Sequence, residues 1–274
     1  MIDITHIEPN QKLLKYVRRI CIFESKREIK YKQKLTPSAY TYFSYNHEDI
    51  PTPIIGKEKI SLKQRLQVVG PKTRDDISVI YDGNLSQILV EFSATGFYYL
   101  FHKSPANLTN KFLDINEFSA DNSTTQLDSE LKNCDDKEQQ VIIIEKWLLE
   151  KSYRSIAYCE YIDKAVNILE KNNGDITITD LSSQIFVSER QFDRRFRELV
   201  GISPKHFSKI VQLHYVINLM QKKEYGSIQD LSYKANYYDA SSFSNRFKDL
   251  TGFSPKEFIN SEDHIALKYF TDLP

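Results

Sequence analysis

The sequence predicts an α+β chain in which a β-rich N-terminal half precedes an all-helical C-terminal half. Two observations give this division. Short β-favouring runs, separated by Gly, Pro, Asn and Asp, fill residues 20–92, as is typical of an antiparallel sheet, sandwich or barrel. A 20-residue stretch with helical periodicity then occurs twice after residue 187, and an internal repeat indicates a repeated structural unit.

The repeated stretch spans residues 188–207 and 239–258. Its apolar residues lie one and two helical turns apart and form one stripe of a 3.6-residue period. Gly201 follows the last turn as a C-cap that tolerates positive φ, and Ser203 with Pro204 opens a new helix. The residues that recur in register are Phe192, Arg195, Phe196, Leu199, Gly201, Ser203, Pro204, Lys205 and Phe207, then Phe243, Arg246, Phe247, Leu250, Gly252, Ser254, Pro255, Lys256 and Phe258.

Another short helix is predicted just before each copy. Thr177 and Asp180 have the spacing of a capping box, and the second copy repeats it from Ser227. A few turn residues, 186–187 in the first unit and 236–238 in the second, separate this helix from the next. A short helix, a tight turn and a second helix make a helix-turn-helix unit. The sequence therefore predicts two such units.

The outward face of each second helix carries polar side chains of the kinds that read DNA. Arginine can pair with guanine, asparagine with adenine and aspartate with cytosine, and serine can contact several bases. A merely solvated face is the alternative for one helix, but two helices in matching frames favour recognition. The outward side chains are Arg190, Asp193, Arg194 and Arg197 in the first copy, and Ser241, Ser244, Asn245 and Lys248 in the second.

Residues of about 158–260 resemble the DNA-binding domain of the AraC/XylS family of bacterial transcription regulators. The resemblance rests on the motifs S-E-R-Q-F-x-R-x-F-R-x-x-x-G-I-S-P-x-x-F and D-x-S-S-F-S-N-R-F-K-x-x-x-G-F-S-P-x-x-F. It implies about seven helices, with two recognition helices that enter successive major grooves on one DNA face. By this resemblance, the base contacts are expected from Arg190, Asp193, Arg194, Ser241, Ser242 and Asn245.

Two positions depart from the family pattern. Asn236 stands where the family often has glycine, and asparagine accepts left-handed backbone better than most residues. Asn245 stands where the family usually has arginine. The second recognition helix is therefore expected to read DNA more weakly, with a preference for adenine.

The chain has no net charge, with 37 basic and 37 acidic residues among 274. This balance argues against DNA binding, because phosphate neutralisation normally supplies much of the affinity. Locally, however, residues 188–197 hold four arginines against two acidic residues, and a clustered stripe suffices. Affinity is expected to be modest unless the protein dimerises. Phosphate contacts are expected from Arg197, Lys205, Lys209, Lys248 and Lys256.

The N-terminal half is predicted to open with an amphipathic helix over residues 8–20 and to continue in strands. Residues 82–84, Asp-Gly-Asn, are typical of a hairpin turn. Residues 94–102 favour a helix whose aromatic cluster is either core or the wall of a ligand pocket. The predicted strands lie at 21–23, 40–45, 66–69, 77–81 and 86–92.

Residues 119–136 are polar and are predicted as a loop or helix edge. Residues 141–149 predict a helix that is apolar on more than one face, either buried in its own domain or shared with a second copy. The predicted organisation is a β-rich effector-binding or dimerisation domain at 1–150, a linker at 151–158, the DNA-binding domain at 159–260 and a tail at 261–274.

No pattern in the sequence indicates catalysis, a metal or a cofactor. Cys21, Cys134 and Cys159 fit no metal or redox spacing, and no histidines have the paired spacing of metal ligands. A DNA-repair methyltransferase fused to such a module is therefore the less favoured alternative. Neither a secretory signal nor a membrane-spanning run is apparent, so we expect a cytoplasmic protein without a membrane partner.

The favoured function is a sequence-specific DNA-binding transcription regulator whose N-terminal domain senses a small molecule. A ligand-independent or partner-regulated DNA-binding regulator is the alternative. The expected partners are double-stranded DNA, a small-molecule effector, a second copy of the chain and, for an activator, RNA polymerase. The family resemblance is weaker in the N-terminal half, and it assigns no ligand-contacting residue there.

Overall fold

The structure, a computed structural model, describes residues 2–118, 122–153 and 158–260. Every described strand lies in the first range, and residues 158–260 hold seven helices and no strand. The predicted fold class, a β-rich N-terminal half followed by an all-helical half of about seven helices, is confirmed. Residues 154–157 of the predicted linker and the predicted tail at 261–274 lie outside the described residues.

Two antiparallel sheets form the N-terminal half. Their strands are β1 (Ile2–Ile7), β2 (Val17–Ser25), β3 (Ile29–Lys34), β4 (Tyr42–Asn46), β5 (Thr52–Ile55), β6 (Glu58–Lys59), β7 (Leu66–Val69), β8 (Ile77–Gly83), β9 (Ser86–Phe92) and β10 (Phe112–Asp114). The larger sheet has the order β1-β2-β9-β4-β7-β10, and the smaller has the order β3-β8-β5-β6. Buried apolar side chains from both sheets, such as Phe23 and Val79, belong to the core.

The predicted helix over residues 8–20 is wrong. A single 3-10 turn covers Gln11–Leu13, and the chain then enters β2 at Val17. This strand lies between β1 and β9 and is buried on both faces over most of its length. Periodicity does not separate such a strand from a buried helix, and Arg18 and Arg19 hid it further because they are held inside the fold by Glu91.

The predicted hairpin at residues 82–84 is also wrong. β8 pairs with β3 and β5, whereas β9 pairs with β2 and β4, so this turn carries the chain from one sheet to the other. Gly83 has a φ of 121°, and the Asn84 backbone N–H donates to the Asp49 carboxylate at 2.8 Å. The local sequence specifies the turn but does not specify the pairing partners of its flanking strands.

Four helices lie in the described part of the N-terminal half: α1 (Gly96–Phe101), α2 (Ile115–Phe118), α3 (Asn122–Lys132) and α4 (Lys137–Ser152). Of the two alternatives predicted for residues 119–136, a loop or a helix edge, the loop is wrong over α3, which is polar because it buries only one narrow face. The aromatic cluster of α1 packs as core, with Phe97 5.1 Å from Phe118 and Phe101 5.5 Å from Trp147, between ring centres. α4 buries most of its apolar residues in the same core, and Ile142 alone among them stays 53% exposed.

The C-terminal helices are α5 (Glu160–Lys171), α6 (Ile178–Gln184), α7 (Glu189–Val200), α8 (Pro204–Gln221), α9 (Ile228–Lys234), α10 (Ala240–Thr251) and α11 (Pro255–Asn260). The sequence repeat is a structural repeat. Phe196 lies 5.4 Å from Phe207 between ring centres, and the corresponding Phe247 and Phe258 are 5.2 Å apart. None of the helices that the structure describes is long and apolar enough to cross a membrane.

The N-terminal half touches the C-terminal ends of both α7 and α10. At α7, the Ser104 hydroxyl donates to the Glu198 carbonyl at 2.7 Å, and the Thr109 hydroxyl donates to the Gly201 carbonyl at 3.0 Å. At α10, the Lys34 ammonium occupies the space beside Gly252 that a Cβ would need. Glycine at these two C-caps therefore permits positive φ and also the close approach of Pro105 at α7 and of Lys34 at α10.

Candidate nucleic-acid interface

Both helices of the first unit are capped, by the predicted Thr177 and Gly201 and by Ser188, which the sequence-based prediction missed. The Thr177 hydroxyl accepts from the Asp180 backbone N–H at 3.0 Å, which starts α6. Ser188 caps α7 in the same way, and Gly201 ends it with a φ of 98°. Because each cap satisfies backbone groups that a helix end leaves unpaired, α7 has a defined start and end against its neighbours.

The second unit uses the same devices with different residues at one cap. Ser227 caps α9 through the Asp230 N–H at 3.0 Å, as predicted. α10 begins at Asp239, whose carboxylate accepts from the Ser242 backbone N–H at 2.8 Å, and ends at Gly252 with a φ of 76°. The two recognition helices therefore have the same length, 12 residues each, and the same type of C-terminal end.

The structure places the predicted base-contacting residues of α7 on its outer surface. Arg190 and Arg194 are exposed, while Phe192 and Phe196 on the opposite side are buried. Asp193 is half-buried, and its carboxylate accepts from the Arg197 Nε–H at 2.7 Å. This ion pair fixes the Asp193 carboxylate and keeps the Arg197 side chain beside it on the outer surface of α7.

Ser241, Ser242 and Asn245 are likewise exposed along α10. The Ser242 hydroxyl donates to the Asp239 carboxylate at 2.9 Å. The hydroxyl hydrogen of Ser242 is therefore already bonded within the helix cap. The hydroxyl oxygen can still accept a hydrogen bond from a base. Ser241 and Asn245 stand one helical turn apart and share one face of α10.

An open groove brings two of the predicted base-contacting residues of the first unit together with two of its predicted phosphate contacts, while Arg194 and Arg197 are not among the residues that line it. Arg190 and Asp193 of α7 line it on one side, and Lys205 and Lys209 of α8 line it on the other. The start of α6 closes its end near Thr177. Of the other predicted phosphate contacts, Lys248 and Lys256 are exposed in the second unit.

A cluster of cations links the two units. Burial lowers the pKa of Lys209, and the nearby charges of Arg246 and Lys205 lower it further. The pKa of His206 is lowered by burial and then by Lys209, Arg246 and Arg197. Mutual depression of this kind is the sign of a local positive field, which suits a phosphate backbone.

Arg246 is a residue of this surface that the sequence-based prediction missed. It is the repeat counterpart of Arg195, and that correspondence gave no hint of a separate role. Arg195 pairs with Glu198 at 2.8 Å and lies over the Tyr98 ring, against the N-terminal half. Arg246 instead lies near Lys209 and His206 of α8, so the two copies use the same residue differently.

Among the described ranges, no group of three or more His, Cys, Asp or Glu side chains could hold a metal ion. Cys21, Cys134 and Cys159 are all free cysteines. The polar feature that stands out in the described C-terminal residues is a surface of exposed arginines, lysines, serines and an asparagine. Such side chains recognise nucleic acid through base edges and phosphates.

Comparison with known proteins places the C-terminal region in a family. Residues 181–261 match a protein family described as "Helix-turn-helix domain". No curated protein matches the chain by sequence.

Solved structures with a similar arrangement include ToxT from Vibrio cholerae, with 16% identity, a TM-score of 0.48 and coverage of 88% of this chain and 97% of that one. ToxT with a bound unsaturated fatty acid shows 14% identity, a TM-score of 0.47 and coverage of 92% and 96%. The C-terminal domain of AraT, a response regulator from Geobacillus stearothermophilus, shows 21% identity and a TM-score of 0.34, with coverage of 38% and 92%. The family match and the two capped units agree: the C-terminal region belongs to the AraC-type helix-turn-helix domains, the DNA-binding modules of transcription regulators.

Proposed function

We propose that this chain is a sequence-specific transcription regulator that reads two successive major grooves with α7 and α10. The observation that carries the proposal is the repeated, capped unit with an exposed polar ridge in each copy. The connecting helix α8 has 18 residues, which corresponds to about 27 Å. That length suits two recognition helices separated by one DNA turn, about 34 Å.

The proposed roles follow from side-chain chemistry. Arg190 and Arg194 would pair with guanine, and Asp193 would accept from cytosine. Asn245 would pair with adenine, with Ser241 and Ser242 beside it. The proposed phosphate contacts are Arg197, Lys205, Lys209, Lys248 and Lys256, and we add Arg246 as a further candidate because it lies near Lys209.

Selection of bound duplexes from a random pool tests this function. The expected product is a site with two conserved blocks whose centres lie about one turn, 10–10.5 base pairs, apart. The block read by α7 should contain guanine, and the block read by α10 should be the less constrained one. Enrichment of no sequence, or of a single block unaffected by changes in α10, would contradict the proposal.

We also propose that a small molecule controls the regulator from a pocket between the two sheets. The pocket has a volume of about 130 Å³, close to that of an apolar cavity known to hold a single benzene ring. Its apolar wall includes Phe23, Leu89 and Phe112 from the larger sheet. Apolar lining with a few polar groups is typical of ligand sites.

One buried cation gives this pocket its chemistry. Lys72 lies in the pocket wall, 4.1 Å from the centre of the Tyr42 ring, and burial lowers its pKa to about 7. A buried ammonium that is only partly compensated favours a ligand with a hydrogen-bond acceptor or a negative charge. Gln33, Gln67 and Gln87 supply further polar groups around the same space.

The Lys72→Met variant tests the pocket. Metabolite extract should raise the melting temperature of the wild type, because a ligand that binds only the folded state stabilises it by mass action. The variant should lose most of this rise, since methionine keeps the apolar stem and removes the charge. An equal rise in both proteins would place the ligand away from Lys72, and no rise in either would favour the ligand-independent alternative.

The remaining proposals concern assembly. We propose residues 1–150 as the effector-binding and dimerisation domain, 151–158 as the linker and 159–260 as the DNA-binding domain. The regulator is proposed to bind as a cytoplasmic homodimer and, if it activates, to contact RNA polymerase. Because α4 buries its apolar face in its own domain, Ile142 is the part of that face left for pairing. Sedimentation with and without DNA tests the stoichiometry.

A further inference from the structure

The turn between α6 and α7 contains a residue in an unfavourable backbone conformation. Phe186 has a φ of 56°, and the left-handed region is costly for a bulky side chain. The turn is a Schellman motif: the Phe186 N–H bonds to the Ser183 carbonyl at 3.3 Å, and the Val187 N–H bonds to the Ser182 carbonyl at 3.2 Å. Glycine, or less often asparagine, normally occupies this position of the motif.

In the second unit, the corresponding turn position is occupied by asparagine, which adopts the left-handed conformation at a lower energetic cost. Asn236 has a φ of 58°, and the same pair of backbone bonds forms here, from the Asn236 N–H to the Tyr233 carbonyl and from the Tyr237 N–H to the Ser232 carbonyl. Its side-chain amide donates to the Asp175 carboxylate at 2.6 Å. The chain therefore contains the favourable solution in one copy and phenylalanine in the other.

The Phe186 ring does not stabilise the described fold through burial, because it is 91% exposed. A large apolar side chain that is both costly in backbone energy and exposed to water indicates a role outside the folded chain itself. The second turn has an exposed aromatic residue too. Tyr238 is 95% exposed and directly precedes Asp239, the cap of α10. Each recognition helix thus follows an aromatic side chain that is in water.

We infer that Phe186 is a DNA contact, with its ring against the C5-methyl group of a thymine in the major groove. This inference rests on the proposed function. A recognition helix of this motif enters the major groove with its N-terminal end against the base edges. The turn that precedes α7 is continuous with that end, because Phe186 is two residues before the Ser188 cap.

Thymine is the base that fits an aromatic ring at this place. The major-groove edges of adenine, guanine and cytosine offer hydrogen-bond donors and acceptors, whereas thymine also offers a methyl group. Because the Phe186 side chain has no polar atom, burying the thymine methyl against it stabilises the complex, whereas a hydrogen-bond donor or acceptor on a base finds no partner there. The position is therefore expected to select thymine in the half-site that α7 reads.

The experiment compares the full-length wild type with Phe186→Asn, the residue that the second unit uses. Tyr153→Asn serves as control, because Tyr153 is 80% exposed and lies outside the helix-turn-helix units. Binding is measured on the duplex obtained by selection and on duplexes in which each thymine of the first half-site is replaced by uracil, which lacks only the methyl group. Melting temperatures and sedimentation of the free proteins are measured in parallel.

Three results are expected together. Phe186→Asn weakens binding by about fourfold, the equivalent of one unburied methyl group, while Tyr153→Asn does not. One uracil substitution weakens wild-type binding by a similar factor and leaves binding of the variant unchanged. The melting temperature of the variant rises by about 2 °C, because asparagine relieves the backbone strain.

The opposite results overturn the inference. Equal affinity of variant and wild type for the selected duplex would show that Phe186 is not part of the interface. If Phe186→Asn weakened binding to the thymine and uracil duplexes by the same factor, the methyl contact would be excluded. A loss of stability would show that the ring supports the fold, and a loss of self-association would assign it to a second copy of the chain. Failure of the wild type to select any duplex would instead contradict the proposed function itself.

Discussion

At the scale of single residues, the exposed ridges of α7 and α10 separate two kinds of DNA contact. Arg194 is exposed on the outer surface of α7, and its side chain is free to form a bidentate pair with a base. Lys205 begins the next helix beside the same groove, where a point charge suits phosphate. Replacing each of the two residues should therefore change DNA binding in a different way.

Arg194→Ala is expected to cost about 1–3 kcal/mol of binding at one base pair and to relax specificity there. Because Arg194 is exposed, the melting temperature should stay near that of the wild type. Binding to the selected duplex and to its single-base variants measures the effect. A uniform loss across all duplexes would reassign Arg194 to phosphate.

Lys205→Ala is expected to weaken specific and scrambled duplexes alike. The plot of log affinity against log salt should become shallower by about one unit, because one fewer counterion is released. A salt titration on both duplexes measures this slope. If the slope is unchanged, or if only the specific duplex is affected, the phosphate role is wrong.

At the scale of elements, packing of the aromatic stripe in each unit holds the recognition helix so that its polar ridge faces outward. Phe196 is fully buried, and its ring lies 5.4 Å from those of both Phe192 and Phe207. The sequence was informative here because caps, glycines and the 3.6-residue period all agree in both copies. It was less informative for β1 and β3, whose alternation was present in the sequence but fell outside the predicted strands.

Phe196→Ala should cost about 3–5 kcal/mol in the free energy of unfolding, since it leaves a cavity among buried rings. The loss is expected in the first helix-turn-helix unit, with DNA binding lost at the same temperature. Phe247→Ala is the matched variant in the second unit, where the same ring position is 3% exposed. Denaturation curves measure both, and an unchanged curve for Phe196→Ala would contradict its place in the core.

At the scale of the whole molecule, the contacts between the two halves were beyond sequence-based prediction. His214 of α8 donates from Nε2 to the Pro37 carbonyl at 2.8 Å, although 177 positions separate them. Tyr40 donates to Glu170 at 2.7 Å in the same region. The sequence predicted each half by its local pattern, but nothing in a local pattern identifies which residues of distant segments become neighbours. For the same reason, the nearness of Arg246 to Lys209 and His206 was found only in the structure.

His214 gives the whole molecule a dependence on pH. Burial lowers its pKa to about 4, with Arg18 and Arg19 acting in the same direction, while the Pro37 carbonyl and Glu91 oppose them. The unfolded chain takes up this proton near pH 6.5. Stability from this group is therefore complete above about pH 6.5 and is lost as the pH falls towards 4.

Between pH 7 and pH 5 the His214 contribution should fall by about 2 kcal/mol. Urea unfolding of the wild type and of His214→Gln at both values isolates it, because glutamine keeps an N–H donor but does not titrate. The wild type should lose about that much more than the variant. Parallel losses in the two proteins would show that other groups cause the acid sensitivity.

The contacts that the N-terminal half makes near Gly201 and Gly252 have a consequence for how such a regulator changes over evolution. Ser104 and Thr109 hold one recognition helix and Lys34 stands beside the end of the other, so the distance between the reading positions depends on side chains remote from any base. Substitutions there would alter which operator spacing is tolerated while the bases that are read stay the same. Divergence of target spacing would then leave its trace in the N-terminal half of the gene.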